Sequence, residues 1–157
     1  MKRLKLYFDT SVLNFAFADD SPNEKGVTLK LLEEVKNGRY DVYISEVVIT
    51  EIMAAPEEKA GKLISVVNDI KASELEFDEE CRELAVHYIE AGVIPQKYED
   101  DAFHIAIATV NNMDAIISWN FKHIVKLKTK KEVAGINLLM GYKEIEIYSP
   151  LEVVNND

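Results

Sequence analysis

The sequence predicts an α/β protein with a mainly parallel central sheet of four to five strands, covered by helices on both faces. Short runs rich in β-branched and aromatic residues alternate along the chain with longer segments of helical periodicity. Because helices separate the strands, right-handed crossovers and parallel pairing are expected. No repeat, low-complexity tract or flexible linker interrupts the 157 residues, so we expect one domain over residues 1–157.

The first half of the chain contains two strand–helix units. "LKLYF" predicts a short buried strand and "TSVLNFAFA" the start of a helix. In "SPNEKGVTLKLLEEVKNG" an apolar face follows Ser21 as the cap, and Gly38 ends the helix. "YDVYIS" predicts a second strand, and "EVVITEIMAA" a helix that stops before Pro56.

The second half continues the alternation of helices and strands. We expect helices over Glu57 to Asp69 and Asp78 to Ala91, with "ELEFD" between them as a weak strand. A helix from Gln96 contains "EDDAFHIAIATV", and "AIISW" predicts the next strand. A last helix near Lys131 to Met140 and the strand "IEIYS" complete the pattern.

The charge of the chain limits the classes of function. A net charge of −10 argues against non-specific coating of nucleic acid, which depends on lysine and arginine contacts to phosphates. One segment is locally basic, since "KHIVKLKTKK" from Lys122 to Lys131 holds five lysines and no acid. Such a run is also typical of an ordinary solvated surface, and both interpretations are open at this point.

Other features of composition bear on the compartment. Cys81 is the only cysteine, so an internal disulfide or a thiolate zinc cluster is excluded, as is typical of a reducing compartment. The apolar run near the N-terminus is too short for a signal peptide, and no segment is long enough to span a membrane. We therefore expect a cytoplasmic protein that makes no use of a membrane.

Three acidic residues fall where the carboxyl ends of the strands should gather. Asp9 follows the first strand, Glu51 lies in the helix after the second, and Asp101 lies near a helix start. Each also has a structural interpretation: Asp9 as a helix cap, Glu51 as the wet side of its helix. His104 shares the face of Asp101 and is more typical of a hydrogen-bonded packing residue than of a ligand.

Two further residues belong to the same pattern. "IISW" delivers Asn120 to this edge of the sheet, where its side chain offers a carbonyl oxygen. Asp114 precedes that strand and so belongs at the opposite edge, as a turn residue. Converging carboxylates without a basic residue between them repel one another unless a divalent cation joins them. Oxygen ligands favour Mg²⁺ or Mn²⁺, and water on such an ion can attack phosphate, which is the chemistry of a nuclease.

These segments together resemble the PIN-domain family, including its VapC-type toxins. "FDTSVL", "SEVVITE", "DAFHIAIAT" and "SWNFKHI" follow one another in the order and at the spacing of that family. The resemblance implies a three-layer α/β/α fold and a ribonuclease dependent on Mg²⁺ or Mn²⁺. It also implies an RNA substrate, a homodimer and a small antitoxin as partner. Asp9, Glu51 and Asp101 fall on its acidic, metal-binding positions, and Ser11 falls where a hydroxyl supports the metal site.

The chain departs from the family at Asn120, which falls on a fourth acidic, catalytic position. The loss of this charge favours an alternative function, a catalytically weak PIN-like module that binds protein or RNA. A phosphatase of the haloacid-dehalogenase type would need an aspartate two residues after Asp9, where Ser11 stands. The basic segment follows Asn120 directly, so Lys122, Lys126 and Lys128 are candidate contacts to RNA phosphates.

Overall fold

The computed structural model describes residues 2–154 and contains five strands and eight α-helices. The strands are β1 (Leu4–Phe8), β2 (Tyr40–Ser45), β3 (Ser73–Leu75), β4 (Ala115–Ile117) and β5 (Glu146–Tyr148). The helices are α1 (Thr10–Phe15), α2 (Pro22–Lys36), α3 (Glu46–Met53), α4 (Glu57–Asp69), α5 (Glu79–Glu90), α6 (Glu99–Val110), α7 (Leu127–Leu139) and α8 (Pro150–Val153). A short 3₁₀ helix, Gln96–Tyr98, precedes α6.

The five strands form one parallel sheet in the order β3-β2-β1-β4-β5. Leu6 of β1 pairs with Val42 on one side and with Ala115 on the other. The predicted fold class is therefore confirmed, and the sheet has five strands where four to five were predicted. Parallel pairing follows from sequence, because every connection between strands contains at least one helix.

The strand order places a switch point between β1 and β4. The chain moves from β1 outward to β2 and β3, then returns across the sheet to β4 and β5. Since crossovers are right-handed, this reversal puts helices α1 to α4 and helices α5 to α7 on opposite faces of the sheet. Ligands of such sheets bind at the carboxyl ends of the strands on either side of the reversal. Asp9 directly follows β1 at that place.

The core is built on β1 and the two strands beside it. Tyr7, Phe8, Ile44 and Ile116 are at most 1% exposed, and α6 adds an almost continuous buried run that includes Ala102, Ala106 and Ala108. Small alanine side chains let α6 lie close to the sheet, and this brings its first turn to the strand ends. Within residues 2–154 no helix is long and apolar enough to cross a membrane.

The last helices differ from the prediction. We expected the helix after β4 to begin near Lys131, but α7 begins at Leu127, and α8 was not predicted. The lysine-rich first turn of α7 lacks an apolar face, so periodicity did not reveal it. Thr129 holds this turn in place, because its Oγ1 donates a 2.7 Å hydrogen bond to the carbonyl oxygen of His123.

Candidate active site

Asp9 lies at the junction of β1 and α1 and is 4% exposed. The hydroxyl of Ser11 donates a 2.5 Å hydrogen bond to its Oδ1, and the hydroxyl of Ser118 donates one of the same length to its Oδ2. Asp9 occupies the N-cap position of α1, as the structural interpretation expected, but its side chain makes no capping hydrogen bond. The carboxylate instead joins the ends of β1 and β4.

Burial governs the protonation of Asp9. Loss of hydration raises the pKa of this carboxyl, while the positive charge of His104 and the hydrogen bonds from Ser11 and Ser118 act in the opposite direction. The nearby charge of Asp101 raises it further. Asp9 is thus a buried acid whose charge the protein compensates only in part.

Glu51 lies on α3, and 33% of its side chain is exposed. Its Oε1 accepts hydrogen bonds from Thr10 Oγ1 at 2.8 Å and from the Nε2 atom of His104 at 2.7 Å. No hydrogen bond within residues 2–154 reaches its Oε2. Burial acts to raise the pKa of Glu51, but His104 and Thr10 outweigh it and the pKa is lowered. Glu51 is therefore ionised, with one oxygen held and the other open.

Asp101 lies in the first turn of α6, beside the loop that follows β4. Its Oδ2 accepts a 3.1 Å hydrogen bond from the amide Nδ2 of Asn120 and lies 3.2 Å from His123 Nδ1. Burial raises the pKa of Asp101, while the charges of His104 and His123 act to lower it. Asp101 and Asn120, predicted to share this edge, are therefore in direct contact.

The orientation of Asn120 differs from the expectation that its carbonyl oxygen faces the site. Its Oδ1 accepts hydrogen bonds from the backbone N–H groups of Lys122 at 3.1 Å and His123 at 2.8 Å. These bonds close the turn after β4, so the amide nitrogen is the group left to face Asp101. A carboxylate at position 120 could close the same turn but could not donate to Asp101.

His104 is the residue around which the acids gather. It is 2% exposed; its Nε2 contacts Glu51, and its Nδ1 lies 2.7 Å from the hydroxyl of Tyr7. Burial acts to lower the pKa of His104, but the hydrogen bond and charge of Glu51 and the charges of Asp9 and Asp101 raise it. His104 is thus a hydrogen-bonded internal residue, as expected, which contacts Glu51 directly and interacts with Asp9 and Asp101 through charge.

Sequence reasoning missed several polar residues of the site. Ser118 holds Asp9 and accepts a 2.9 Å hydrogen bond from the backbone N–H of Asn120. Its position directly after "AII", at the same edge as Asp9, was the available signal. Tyr7, Thr10 and His123 gave no such signal, because each follows the pattern of a strand, a helix start or a basic run.

Negative charge predominates among the residues of the site. Within residues 2–154 no lysine or arginine forms a salt bridge with Asp9, Glu51 or Asp101, whose only ion-pair partners are histidines. A divalent cation would supply the missing positive charge, and carboxylate oxygens are the donors that Mg²⁺ and Mn²⁺ prefer. The described residues contain no group of three or more His, Cys, Asp or Glu side chains already arranged to hold a metal ion. The donor chemistry therefore fits such an ion, although the carboxylates are held by hydrogen bonds within the protein.

The three candidate lysines occupy different environments. Lys122 lies in the turn after β4, with its ammonium nitrogen 5.9 Å from the centroid of the Tyr98 ring. Lys126 occupies the N-cap position of α7, and Lys128 pairs with Glu132 one turn along that helix at 3.5 Å. Buried residues, including His123, interrupt the segment. Of the three lysines, Lys122 is therefore the one in contact with residues of the acidic site.

The acidic site lies apart from a cleft on another part of the surface. A cleft of about 670 Å³ lies beside α2 and α4 and is lined by residues that include Phe17, Leu29 and Lys62. None of the candidate acidic residues lines it. Asp9 instead lies at the end of β1, on the carboxyl edge of the sheet.

Fold and site together define the class: a parallel α/β protein with carboxylates gathered at the switch point between β1 and β4. The chain belongs to the PIN domain family, because the model of that domain matches residues 6–123. The proteins of this family are nucleases. A search of curated protein sequences found no match.

Two solved structures are similar to this chain. VapBC2 from Rickettsia felis, crystallised with a DNA fragment from the promoter, has a TM-score of 0.57 and 15% identity, and the match covers 93% of this chain and 98% of that chain. VapBC-5 from Mycobacterium tuberculosis, a member of the VapBC family of toxin–antitoxin systems, has a TM-score of 0.49 and 16% identity over 92% and 98% of the two chains. At 15% identity the likeness to VapBC2 shows the fold alone.

Proposed function

We propose that this protein is a divalent-metal-dependent endoribonuclease of the VapC type, acting as the toxin of a toxin–antitoxin pair. One observation carries the proposal: in a PIN domain, Asp9, Glu51 and Asp101 lie near His104, and within residues 2–154 no lysine or arginine is paired to them. The fold shared with VapBC2 supports the toxin assignment. The proposed substrate is RNA. The proposed partners are a small antitoxin and a second copy of the chain in a homodimer, and the proposed location is the cytoplasm.

The proposed metal ligands are the carboxylates of Asp9, Glu51 and Asp101, with Mg²⁺ or Mn²⁺ as the ion. When bound, such an ion lowers the pKa of a coordinated water and polarises a phosphoryl oxygen of the substrate. The single open oxygen of Glu51 and the remaining lone pairs of the two aspartates are the available donors. The raised pKa values of Asp9 and Asp101 would fall on metal binding, since a cation favours the ionised carboxylate.

Other residues hold these ligands in place. Ser11 and Ser118 fix both oxygens of Asp9, and Thr10 with His104 fixes one oxygen of Glu51. Hydrogen bonds to ligands of this kind orient them and tune their basicity. We therefore assign Ser11 a supporting role, as the resemblance to the family implies, and assign the same role to His104, Ser118 and Thr10.

A second candidate function is a PIN-like module that is catalytically weak and acts by binding protein or RNA. Asn120 favours it, because a neutral amide stands against Asp101 where the family has an acid. The two functions differ in one measurable property, which is metal-dependent cleavage of RNA.

Cleavage of a labelled RNA mixture should be measured with Mg²⁺, with Mn²⁺ and with chelator. The unsubstituted protein should cleave only with metal, and Asp9→Asn and Asp101→Asn should lose cleavage while remaining folded. Asp114→Asn is the matched control, because Asp114 precedes β4 at the opposite edge and accepts a 2.7 Å hydrogen bond from the Lys5 backbone N–H. Full activity of both site variants, or equal activity with chelator, would overturn the metal-dependent mechanism.

A further inference from the structure

An exposed tyrosine stands next to the acidic site. Tyr98 ends the 3₁₀ helix just before α6 and keeps 36% of its surface exposed. Its ring packs against the imidazole of His123, with ring centroids 4.2 Å apart and planes at 36°. Packing on a buried ring holds the tyrosine in one orientation while leaving part of it open to a ligand.

Two lysines from separate segments meet at this ring. The ammonium nitrogens of Lys97 and Lys122 lie 5.7 Å and 5.9 Å from the centroid of the Tyr98 ring, within the distance of a cation–π contact. Within residues 2–154 neither lysine forms a salt bridge, whereas Lys25, Lys62 and Lys128 each pair with an acid. In a chain of net charge −10, this is a place where two positive charges remain available to an anion.

His123 connects this ring to the acids. One face of its imidazole packs on Tyr98, and its Nδ1 lies 3.2 Å from Asp101 Oδ2. The tyrosine is therefore one side chain away from a proposed metal ligand. A nucleotide bound at Tyr98 would place its neighbouring phosphates close to the carboxylate cluster.

We propose that Tyr98, Lys97 and Lys122 form a binding site for one unpaired nucleotide of the RNA substrate, which deepens and rests on the proposed nuclease function. The base stacks on Tyr98 and extends the stack begun by His123, while the two ammonium groups contact phosphates on either side. Such pairing of an aromatic platform with basic residues binds single strands with little sequence preference. Paired bases are not free to stack in this way, so the site selects unpaired RNA.

The test measures binding without cleavage. A fluorescent oligouridine and an abasic oligomer of the same length, with identical phosphates and no bases, are titrated with protein carrying Asp9→Asn, in chelator. Tyr98→Ala should weaken binding of oligouridine about 5- to 100-fold, the loss expected for one base–aromatic stack. Tyr98→Phe, which keeps the ring, should bind within about twofold of the parent, as stacking requires no hydroxyl.

The abasic oligomer separates stacking from other effects of Tyr98. Because it has no base to stack, the parent and Tyr98→Ala should bind it equally. Lys97→Gln and Lys122→Gln should weaken both oligomers alike and flatten the salt dependence of binding. Phe17→Ala is the matched control, since Phe17 is 38% exposed with Lys62 Nζ 5.9 Å from its ring centroid but lines the cleft beside α2 and α4, which Asp9, Glu51 and Asp101 do not line. It should change neither affinity.

Three results would overturn the site. These are oligouridine binding unchanged in Tyr98→Ala, an equal loss for both oligomers, and a loss in Phe17→Ala as large as that in Tyr98→Ala. Cleavage by the protein without substitutions is measured separately. Base-dependent binding at Tyr98 without any cleavage overturns the proposed nuclease and leaves the site standing, whereas cleavage with base-independent binding overturns the site alone.

Discussion

The Nε2 atom of His104 lies 2.7 Å from the Oε1 atom of Glu51, and the hydroxyl of Tyr7 lies 2.7 Å from the other ring nitrogen. Tyr7 in turn lies 2.7 Å from Ser45 Oγ. Two backbone N–H groups at the start of α3 donate to that serine oxygen, at 3.2 and 3.4 Å, so its own hydrogen is free to donate to Tyr7. In a neutral ring the donors run in one direction, from Ser45 to Glu51, and in a protonated ring Nε2 also carries a hydrogen, so His104 donates to Glu51 in both states.

His104 is therefore a hydrogen-bond donor to Glu51. A glutamine at position 104 can also donate through its amide, whereas a leucine has no donor. We expect His104→Gln to keep Mn²⁺ affinity within a few-fold and His104→Leu to lower it at least tenfold, since loss of a hydrogen bond to a metal ligand typically costs 10- to 100-fold. Isothermal titration calorimetry measures the affinities. His104→Leu should also cost about 1–3 kcal/mol in urea unfolding, because buried polar groups lose their partner.

Two outcomes would contradict this positioning role. One is equal Mn²⁺ affinity in the leucine and glutamine variants. The other is a ring whose Nε2 carries no hydrogen in two-bond proton–nitrogen NMR spectra of the protein without metal. A residue that only fills space would give the same metal affinity in both variants at matched stability.

The acids should respond in opposite ways to neutralisation. The pKa of Asp101 is raised above its unfolded value, so in chelator its ionisation costs stability as the pH rises through the folded pKa. Asp101→Asn should therefore stabilise the protein at pH 7, by no more than about 1 kcal/mol. The difference should disappear below the unfolded pKa, where the carboxyl is protonated in both states.

The pKa of Glu51 is lowered, which gives the opposite sign. Its ionised form contributes stability above the unfolded pKa, and that contribution is lost as the pH falls through the folded pKa. Glu51→Gln should therefore destabilise the protein at pH 7 in chelator. Thermal melts of both variants across pH 3–8 check the two signs, and a shared sign would mean that His104 does not distinguish the two acids.

The contact of Asn120 with Asp101 allows a test of position 120, where this chain has an amide in place of the family's fourth acid. Asn120→Asp replaces a donor by a carboxylate 3.1 Å from Asp101 Oδ2, with almost no change of volume. In chelator near neutral pH the variant should be less stable, because two anions face each other. With Mg²⁺ or Mn²⁺ it should gain more melting temperature than the parent, as RT ln(1 + [L]/Kd) requires of tighter binding. Melting temperatures indifferent to both ions in both proteins would remove the metal site.

The lysines after β4 should not act alike. Lys122→Gln should weaken RNA binding and reduce its salt dependence by about one phosphate contact. Lys128→Gln should change binding little, because Lys128 is engaged with Glu132 on α7. Fluorescence anisotropy titrations at several salt concentrations measure the RNA affinity of both variants. Equal losses of affinity would mean that the whole basic segment, rather than Lys122 alone, contacts RNA.

The sheet was predictable because its signals are local. Alternating apolar residues marked β1 and β2, and strand ends placed Asp9 and Asp101 at one edge before any contact was known. The hydrogen bonds of the site were not predictable, since Tyr7 is identical in pattern to any buried strand residue and its role depends on Ser45 and His104, 38 and 97 residues away. Likewise Lys97 and Lys122 meet only because the 3₁₀ helix and the turn after β4 fold together.

The hydrogen bond from Ser118 to Asp9 spans 109 residues of sequence. On a ribosome, Asp9 is therefore made long before the strand that completes its surroundings, by roughly 5–20 s at ordinary rates of elongation. During this interval the nascent chain has an incomplete pocket, without Ser118 and without the turn that carries Lys122. Under the proposed function, the carboxylate site is therefore completed late in synthesis, only after β4 and the turn that follows it have been made.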